Sequence, residues 1–414
     1  MSLKVRKHIL LLPFPAYGHV IPLLELGRKI YRHHDVTFAV AIPDGFAGFD
    51  GLDRQSWLDS QTLVFPAIAD LLRAIPINQQ PSTRPGDGRA LSITRAVDVV
   101  IGDNCAPSPM EICHDRGVPF FYFNTGAATM TLGSLFVDED YPILPDSEDD
   151  IFAFMEVPLP GAPLPPMSKI YKEIMMEMSR ITSLVSGIIF NSVRELEEDV
   201  VRTIETFPAM KGIPLLFVGP LMPQTEKINV GQLEQQEKVE KWLDRREKLS
   251  VTYVSFGSIA VPNGEQIAEV AEALLATGKP FIWSLPKAEQ RHLPAEVIAN
   301  ISRQFEGGSL ESLAAGLPVL AWPMFADQKI NAEWLVQRST ALMVEGTGLK
   351  PKRVVPAEEI AILLKRIGGE QTTDTIFRAA AQEWKFILDA ALAVGGSSQK
   401  AFRSIIEFAD NTRS

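Results

Sequence analysis

The stretch "HILLLPFPAYGHVIPLLELGRKI", from His8 to Ile30, decides the fold class expected for this chain. An apolar run that ends at Leu12 is followed by a proline-containing loop, and a helical pattern begins close to His19. A short, uninterrupted apolar run is typical of a strand buried on both faces, as in parallel sheets covered by helices. The expected inner face of the helix consists of Ile21, Leu24, Leu26 and Gly27. The stretch therefore predicts one strand-loop-helix unit of an α/β protein.

Further apolar runs repeat this pattern along the chain and alternate with helical segments. Those of the first half are "VTFAVA" near residue 38, "VDVVIG" near 100, "VPFFYF" near 120, "GIIFNS" near 189 and "PLLFVG" near 216. A second series consists of "SVTYVSFGS", a helix over 264–276, "PFIWSL", "LPVLAW" and "ALMV". We therefore expect two doubly wound parallel-sheet domains.

The irregular stretch "GPLMPQTEKINVG" separates the two series and is expected to be an interdomain linker. A chain of 414 residues is also too long for one ordinary hydrophobic core. The predicted bounds are 1–218 for the first domain, 219–232 for the linker, 233–385 for the second domain and 386–414 for C-terminal helices that pack back on the first domain.

The composition is that of a globular protein, with 22% charged and 46% hydrophobic residues. The net charge of −11 argues against nucleic acid as a partner, because binding to a phosphate backbone needs clustered Lys and Arg. Only two cysteines occur, which indicates a reducing compartment, so we expect a cytoplasmic protein. No apolar run is long enough to span a membrane, and Pro13 and Pro15 interrupt the one that superficially resembles a signal peptide.

His19 is the first candidate catalytic residue, because it follows a strand and lies at the start of a helix. There the positive end of the helix dipole disfavours the imidazolium, so the neutral ring can accept a proton as a general base. Asp103 follows the apolar strand of "VVIGDN", and its carboxylate is expected to hold the second ring nitrogen. Two simpler interpretations stay open: His19 is a capping or surface residue, and Asp103 caps the next helix.

The second domain offers a weaker signal in Gly257 and Ser258, which form a turn after a strand. Backbone amides and a hydroxyl at such a turn suit a phosphate oxygen. The sequence lacks the glycine-rich motifs of dinucleotide-binding proteins and of P-loop nucleotide hydrolases, which disfavours both classes.

Two further patterns have simpler structural explanations. The run "DED", Asp138 to Asp140, matches a metal-binding pattern but is expected to be a solvated loop. The cluster "IMMEM", which ends at Met178, is expected to be a helix packed on the core, with an adaptable apolar pocket as the alternative. Neither pattern is therefore a leading candidate for a site.

The stretch "SLESLAAGLPVLAWPMFADQ", Ser309 to Gln328, combines a short helix, a stop at Gly316 and a short apolar strand. Glu311 lies in the first helical turn, while Asp327 and Gln328 follow the carboxyl end of the strand, where open α/β sheets bind their ligands. The stretch therefore predicts two carboxylates and an amide at one crevice.

These motifs together resemble those of the plant-type UDP-dependent glycosyltransferases of family 1, whose two-domain fold is called GT-B. The matching elements are "PFPAYGHVIPLLEL", "VIGDN", "GIIFNSVRELE", "VGPL", "WLDRRE", "VTYVSFGS", "GGSS" and "SLESLAAGLPVLAWPMFADQKINA", which is the second half of the plant secondary-product signature. The resemblance covers most of the chain and implies two Rossmann-like domains that face a central cleft.

The resemblance also implies a role for each candidate residue. It implies that His19 deprotonates the acceptor hydroxyl with support from Asp103, and that Glu311 binds the ribose of UDP. The remaining donor-binding residues that it implies are Thr125, Gly257, Ser258, Asp327 and Gln328. A terminal glutamine in this signature is associated with glucose, so the expected reaction is transfer from UDP-glucose with inversion at the anomeric carbon. No metal is required.

One part of the family signature is absent from the sequence. The segment with a uracil-stacking tryptophan and a diphosphate-binding "HCGWNS" has no counterpart between Phe305 and Ser309. Either the protein carries an internal deletion, or the sequence omits residues of the full protein. The second explanation is expected, because removing two parallel strands from the centre of a sheet leaves unpaired edges and an uncovered core. The stretch from Pro81 to Leu91 is a second candidate for such an omission.

The leading hypothesis is a monomeric glucosyltransferase that acts on a hydroxyl of a small apolar acceptor such as a phenolic, flavonoid or terpenoid. One alternative is a catalytically impaired nucleotide-sugar-binding relative, which a real deletion favours. Another is a GT-B enzyme of a different kind, such as an epimerase or a glycosidase. The sequence leaves the acceptor open, since loops build the acceptor pocket of this fold.

Overall fold

The computed structural model describes residues 5–44, 46, 59–77, 93–143, 167, 169–222, 230–257, 260–294, 297, 301–302, 309–324, 328–348, 351, 353–369 and 375–412. The chain divides into two compact units, Met1–Pro223 with Leu388–Ser414 and Gln224–Ile387. Within the described residues, no helix is both long enough and apolar enough to cross a membrane. The linker over 219–232 and the other predicted domain bounds stay predictions.

A six-stranded parallel sheet forms the centre of the first unit. Its strands are β1 (His8–Leu12), β2 (Asp35–Phe38), β3 (Val99–Asp103), β4 (Phe120–Asn124), β5 (Gly187–Phe190) and β6 (Leu215–Phe217). The strand order is β2-β1-β3-β4-β5-β6, and every pair is parallel. Every residue of β1, β3, β4 and β5 is buried, as expected for strands covered on both faces. The apolar runs predicted to be strands coincide with these six, and the α/β fold class is confirmed.

Helices connect these strands. They are α1 (Tyr17–Tyr31), α2 (Phe65–Ala74), α3 (Glu111–Asp115), α4 (Ala128–Phe136), α5 (Lys169–Thr182) and α6 (Arg194–Ile204). A π-helical turn, Ser60–Val64, leads into α2, and short 3-10 turns occupy Ser108–Met110 and Pro208–Met210.

The inner face of α1 differs in part from the predicted one. Its buried apolar positions are Leu23, Leu26, Gly27 and Ile30. The prediction is confirmed for Leu26 and Gly27 but wrong for Ile21 and Leu24, which are half-buried. Positions 23, 26, 27 and 30 follow the spacing of one helical face, and Gly27 lets that face approach β1 closely. A Cβ atom added to Gly27 would lie 2.6 Å from Cδ1 of Leu11.

The last helix, α13 (Ser397–Asn411), packs into the core of the first unit, although in sequence it follows the second unit. Ile405 and Ala409 are almost fully buried there. The rings of Phe408 and Phe121 meet edge to face, with centroids 4.9 Å apart. These contacts make α13 a structural part of the first unit.

We expect Ile405→Ala to destabilise the first unit by about 2–5 kcal/mol, because the change leaves a cavity in a core position that is 1% exposed. Hydrogen exchange of peptides from β1 and β4 measures this locally, and exchange should accelerate there. Ile376→Ala makes the same chemical change at a position that is 50% exposed and should alter stability by less than about 0.5 kcal/mol. Equal effects of both variants would contradict the packing described for α13.

The second unit contains five described strands in two separate parallel sheets. The strands are β7 (Thr252–Ser255), β8 (Phe281–Ser284), β9 (Ile301–Ser302), β10 (Val319–Ala321) and β11 (Ala341–Met343). The helices are α7 (Val230–Leu243), α8 (Gly264–Thr277), α9 (Ser309–Ala315), α10 (Gln328–Gln337), α11 (Ala357–Ile367) and α12 (Thr375–Leu392), with a 3-10 turn at Glu289–His292. The last turn of α12, from Leu388, belongs to the first unit. One sheet has the order β7-β8-β9, and β10 pairs with β11 in the other.

One hydrophobic core joins the two sheets of the second unit. Trp283 of β8 and Val344, which follows β11, belong to the same buried cluster. Phe256, after β7, meets Trp322, after β10, with ring centroids 5.8 Å apart. The carboxyl ends of β7 and β10 therefore lie close together, although the two strands belong to different sheets.

The missing part of the family signature is predicted to fall between β9 and α9. Residues Phe305 to Gly308 lie outside the described residues, and so does the stretch from Pro81 to Leu91, so both omissions stay predictions. The described part resumes at α9, and Gly316 follows this helix with a left-handed φ of 71°. The predicted helix stop at Gly316 is confirmed, because glycine adopts this conformation without steric cost.

The two patterns set aside in the sequence have structural explanations. Asp138 to Asp140 are exposed, and the Asp138 carboxylate accepts a hydrogen bond from the backbone of Asp140, as in a solvated loop. Met175 and Met178 of α5 are buried in a cluster with Tyr141 and Tyr171. The methionine helix is therefore core packing, as predicted.

Candidate active site

Three neighbouring strands end at the candidate site. Because β1, β3 and β4 are adjacent and parallel, their carboxyl ends meet at one edge of the sheet. His19 lies in the first turn of the helix after β1, Asp103 ends β3, and Thr125 follows β4. The topology thus brings together three side chains that are up to 106 positions apart in sequence.

His19 and Asp103 form a dyad. Nδ1 of His19 lies 2.9 Å from Oδ2 of Asp103, which is the contact that the sequence predicts. The Asp103 side chain is fully buried, whereas that of His19 is 22% exposed. Because a buried carboxylate accepts from an N–H, this contact favours the tautomer with hydrogen on Nδ1 and leaves Nε2 unprotonated.

The second carboxylate oxygen of Asp103 is held by the backbone. The amide N–H of Cys105 donates to Oδ1 of Asp103 over 2.9 Å. The main chain at Asp103 also continues the sheet, since the N–H of Asn104 donates to the carbonyl of Phe123. A buried carboxylate with both oxygens hydrogen-bonded is fixed in place and stabilises positive charge on the adjacent ring.

Thr125 contacts the same ring nitrogen. Its Oγ1 lies 3.4 Å from Nδ1 of His19, a longer distance than that to Asp103. The turn that carries Thr125 is fixed by Asn124, whose Oδ1 accepts from the N–H of Gly126 over 3.0 Å. The structure therefore places Thr125 beside the dyad, while its predicted contact with the donor sugar or phosphate stays a prediction.

The side chain of His19 is packed on one side and partly exposed to solvent. Phe14, which is buried, packs edge-on against the imidazole with a centroid distance of 5.6 Å and restricts the ring on one side. A Cβ atom added to Gly18 would meet no atom within 4 Å. The partly exposed ring of His19 is therefore within reach of solvent, and the backbone at Gly18 is uncrowded.

Apart from Thr125, the predicted donor-binding residues lie in the second unit. Gly257 follows β7 with φ 83°, a left-handed conformation that suits glycine in a tight turn. Glu311 lies in the first turn of α9 and is half-buried. Gln328 begins α10, and its Oε1 accepts from the N–H of Met324 over 2.8 Å. Ser258 and Asp327 lie outside the described residues.

Sequence reasoning missed two residues of the site. Phe14 reads as part of a proline-containing loop, yet it is 1% exposed and packs on His19. Cys105 is two positions after Asp103, and its thiol lies beside the dyad. The strand-end position of Asp103 was a signal for Cys105, because residues just past a strand end share its edge of the sheet.

A separate groove of about 740 Å³ is lined by residues of α2, α3 and α5, but by neither His19 nor Asp103. On its wall the guanidinium of Arg180 makes two hydrogen bonds of 2.6 and 2.9 Å to Glu111, and these lower the pKa of that carboxyl below its usual value. Glu111 is thus committed to an ion pair with Arg180, and the candidate site is the dyad rather than the groove.

Solved structures share this architecture over nearly the whole chain. A Medicago truncatula enzyme, UGT71G1, solved with UDP-glucose, superposes with a TM-score of 0.75 at 21% identity, covering 98% of this chain and 99% of its own. TcCGT1, solved in complex with UDP, gives a TM-score of 0.76 at 20% identity, covering 99% of this chain and 100% of its own. The GT-B fold predicted from the sequence is confirmed.

Curated sequences agree with the structural comparison. UDP-glycosyltransferase 84A1 of Arabidopsis thaliana is 24% identical over 97% of this chain and 94% of its own length. The chain is a relative of the plant UDP-glycosyltransferases. Another of these glycosyltransferases, the cinnamate beta-D-glucosyltransferase of Fragaria ananassa, is 23% identical over 97% of this chain and 82% of its own length. No protein-family model matches the chain.

The chain is shorter than these plant UDP-glycosyltransferases. The alignment with the Arabidopsis relative has 477 positions, whereas 97% of this 414-residue chain supplies only about 402 residues. About 75 aligned positions therefore have no counterpart in this chain. Their location in the chain stays a prediction.

Proposed function

We propose that the protein transfers glucose from UDP-glucose to a hydroxyl group of a small apolar acceptor, with inversion at the anomeric carbon. The observation that carries the proposal is the 2.9 Å contact between His19 Nδ1 and Asp103 Oδ2 at the end of the sheet. The fold and the named relatives, which include glucosyltransferases for small plant metabolites, support the same reaction class.

In this mechanism, Nε2 of His19 takes the proton of the acceptor hydroxyl as the oxygen attacks the anomeric carbon of the sugar. The bond from that carbon to the UDP oxygen breaks, and UDP leaves with the electron pair. Asp103 stabilises the imidazolium that forms and keeps Nδ1 protonated. Attack opposite the leaving group inverts the anomeric configuration.

We assign most of the binding of the donor, UDP-glucose, to residues of the second unit. Gly257 and Ser258 are proposed to bind the diphosphate through the turn after β7, and Glu311 the ribose hydroxyls. Asp327 and Gln328 are proposed to bind hydroxyls of the glucose. Thr125 of the first unit is proposed to contact the sugar or its phosphate.

Turnover of UDP-glucose with a panel of phenolic, flavonoid and terpenoid alcohols tests the proposed function directly. We expect UDP release and a glucoside of inverted configuration with at least one panel member. If UDP binds but no acceptor and no hydrolysis consumes UDP-glucose, the chain is a nucleotide-sugar-binding relative without activity. That alternative is not favoured, because a protein that only binds UDP-glucose has no need of an assembled base and carboxylate.

We expect Gln328→Ala to raise the KM for UDP-glucose about fivefold, which corresponds to the loss of about 1 kcal/mol of hydrogen bonding. The affinity for UDP should change little, since the side chain is proposed to contact the sugar alone. Steady-state kinetics and calorimetry with UDP measure the two effects.

The matched control is Gln337→Ala at the other end of the same helix, where the side chain is exposed. It should leave both values unchanged. Equal losses of affinity for UDP and UDP-glucose in Gln328→Ala would contradict a contact with the sugar, and would point to the hydrogen bond from Met324 as the role of this side chain.

The proposal includes a monomer that acts in the cytoplasm. Cys105 and Cys113 are not joined in a disulfide, and a low cysteine content is typical of proteins of reducing compartments. Light scattering of the purified protein should give a mass close to 45.7 kDa.

A further inference from the structure

We propose that His19, Asp103 and Cys105 form an inhibitory binding site for a thiophilic divalent cation such as Zn²⁺. Each residue offers one ligand atom, and these three atoms lie within 4.8 Å of one another. Inhibition by the bound cation rests on the proposed function, whereas binding of the cation does not.

The donor set matches the chemistry of zinc. A ring nitrogen, a carboxylate oxygen and a thiolate are the ligands that zinc binds in proteins, at about 2.0–2.3 Å. At those bond lengths, tetrahedral geometry sets ligand atoms roughly 3.3–3.6 Å apart. Nδ1 of His19 and Oδ2 of Asp103 are 2.9 Å apart, and all three ligand atoms lie within 4.8 Å of one another, so shifts of about 1 Å bring them to this spacing.

The environment also suits an open three-ligand site. Cys105 is partly exposed and His19 is 22% exposed, so a cation can enter from solvent and keep a water as fourth ligand. Asp103 is held from behind by the backbone N–H of Cys105, which fixes one ligand before the metal arrives. Hard cations such as Mg²⁺ prefer all-oxygen ligands and should bind poorly here.

Binding of the cation removes the proposed base whichever ring nitrogen is used. Coordination through Nε2 occupies the lone pair that accepts the acceptor proton. Coordination through Nδ1 displaces the proton from that atom, and in the neutral ring the hydrogen then resides on Nε2. Cys105 binds as the thiolate and releases its proton to solvent, so binding should weaken as pH falls.

Titration with Co²⁺ tests the binding step, because cobalt substitutes for zinc and a cobalt-thiolate bond gives a charge-transfer band in the near ultraviolet. We expect this band in the wild-type protein and in Cys113→Ala, but not in Cys105→Ala. Cys113 is the matched control, because it is buried, and burial raises the pKa of its thiol to about 12. A band that survives in Cys105→Ala, or that is absent from the wild-type protein, overturns the proposal.

Inhibition is tested with UDP-glucose turnover at increasing Zn²⁺. The turnover of each variant without metal is measured first, and the inhibition of that variant by zinc is expressed relative to it. Because the loss of an outer partner of a metal ligand already weakens binding about 10–100-fold, Cys105→Ala should raise the half-inhibiting zinc concentration at least about tenfold. Cys113→Ala should retain wild-type sensitivity, and a chelator should restore activity.

Two results separate this inference from the proposed function. If the cobalt-thiolate band appears but no glucosyl transfer is detected, the metal site is supported and the proposed function is wrong. If zinc inhibits glucosyl transfer equally in the wild-type protein and in Cys105→Ala, the proposed function is supported and the metal site is wrong.

Discussion

His19→Ala is expected to lower glucosyl transfer by about 10²–10⁴-fold, because general-base catalysis contributes that much to rate. The affinity for UDP should stay at the wild-type value, since the proposed UDP-binding residues lie in the second unit. Turnover with UDP-glucose and calorimetry with UDP measure the two quantities. The loss should be smaller for 4-nitrophenol, whose hydroxyl ionises readily without a base.

The control for this prediction is His114→Ala. His114 is an exposed histidine on α3 of the same unit, and its removal should leave turnover unchanged. Wild-type rates with an ordinary alcohol in His19→Ala would exclude His19 as the base. A parallel loss of UDP binding would instead indicate that the substitution disturbs the fold.

Asp103→Asn is the second large effect that we expect. The carboxamide keeps the shape of the side chain, but it removes the negative charge beside the imidazolium and can donate an N–H towards Nδ1. The imidazole of His19 is then held in the tautomer with hydrogen on Nε2. In that tautomer, Nε2 has no lone pair with which to accept the proton of the acceptor. In a comparable histidine-carboxylate pair of serine proteases this change costs about 10⁴-fold, and we expect a loss of about 10²–10⁴-fold in kcat.

Asp115→Asn is the matched control, because Asp115 is exposed and lies at the end of α3. The pH profile of turnover in Asp103→Asn is a second measurement, because a purely structural role of Asp103 would leave that profile unchanged. If Asp103 only capped the turn through its bond to Cys105, Asp103→Asn would keep most of its activity, since the amide oxygen accepts the same N–H.

The strands of the first unit were predictable because each is a compact apolar run between breaks. The runs around Ile9, Val100 and Phe121 are buried throughout, and a strand covered on both faces needs apolar residues at every position. The face of α1 was harder, because Ile21 and Leu24 are apolar without being core residues. A shift of one position in the assumed helical pattern changes which residues lie on the buried face.

The dyad was predictable from position alone. His19 and Asp103 each follow a buried strand, and parallel strands of one sheet end at the same edge. The strand end indicated the position of Cys105, but the side-chain contacts of Cys105 and Phe14 were not predicted, because they depend on how a loop turns at a strand end. Side-chain directions in such loops have no periodicity from which to read them.

The second unit was predicted less completely than the first. Its strands are short, and β9 has two residues, so few apolar positions distinguish them from loops. The division of the strands of the second unit into two sheets depends on which strands pair with each other. That pairing is a long-range property that no local pattern of the sequence contains.

The packing of α13 in the first unit has a consequence for synthesis of the chain. This helix begins 180 positions after β6 ends (397 − 217). At translation rates of about 5–20 residues per second, those residues take roughly 10–40 s to make. The strands of the first unit emerge from the ribosome well before the helix that completes their core. Until that helix arrives, the surface that receives Ile405 and Ala409 lacks its cover, and chaperones that bind apolar surface have access to it during that interval.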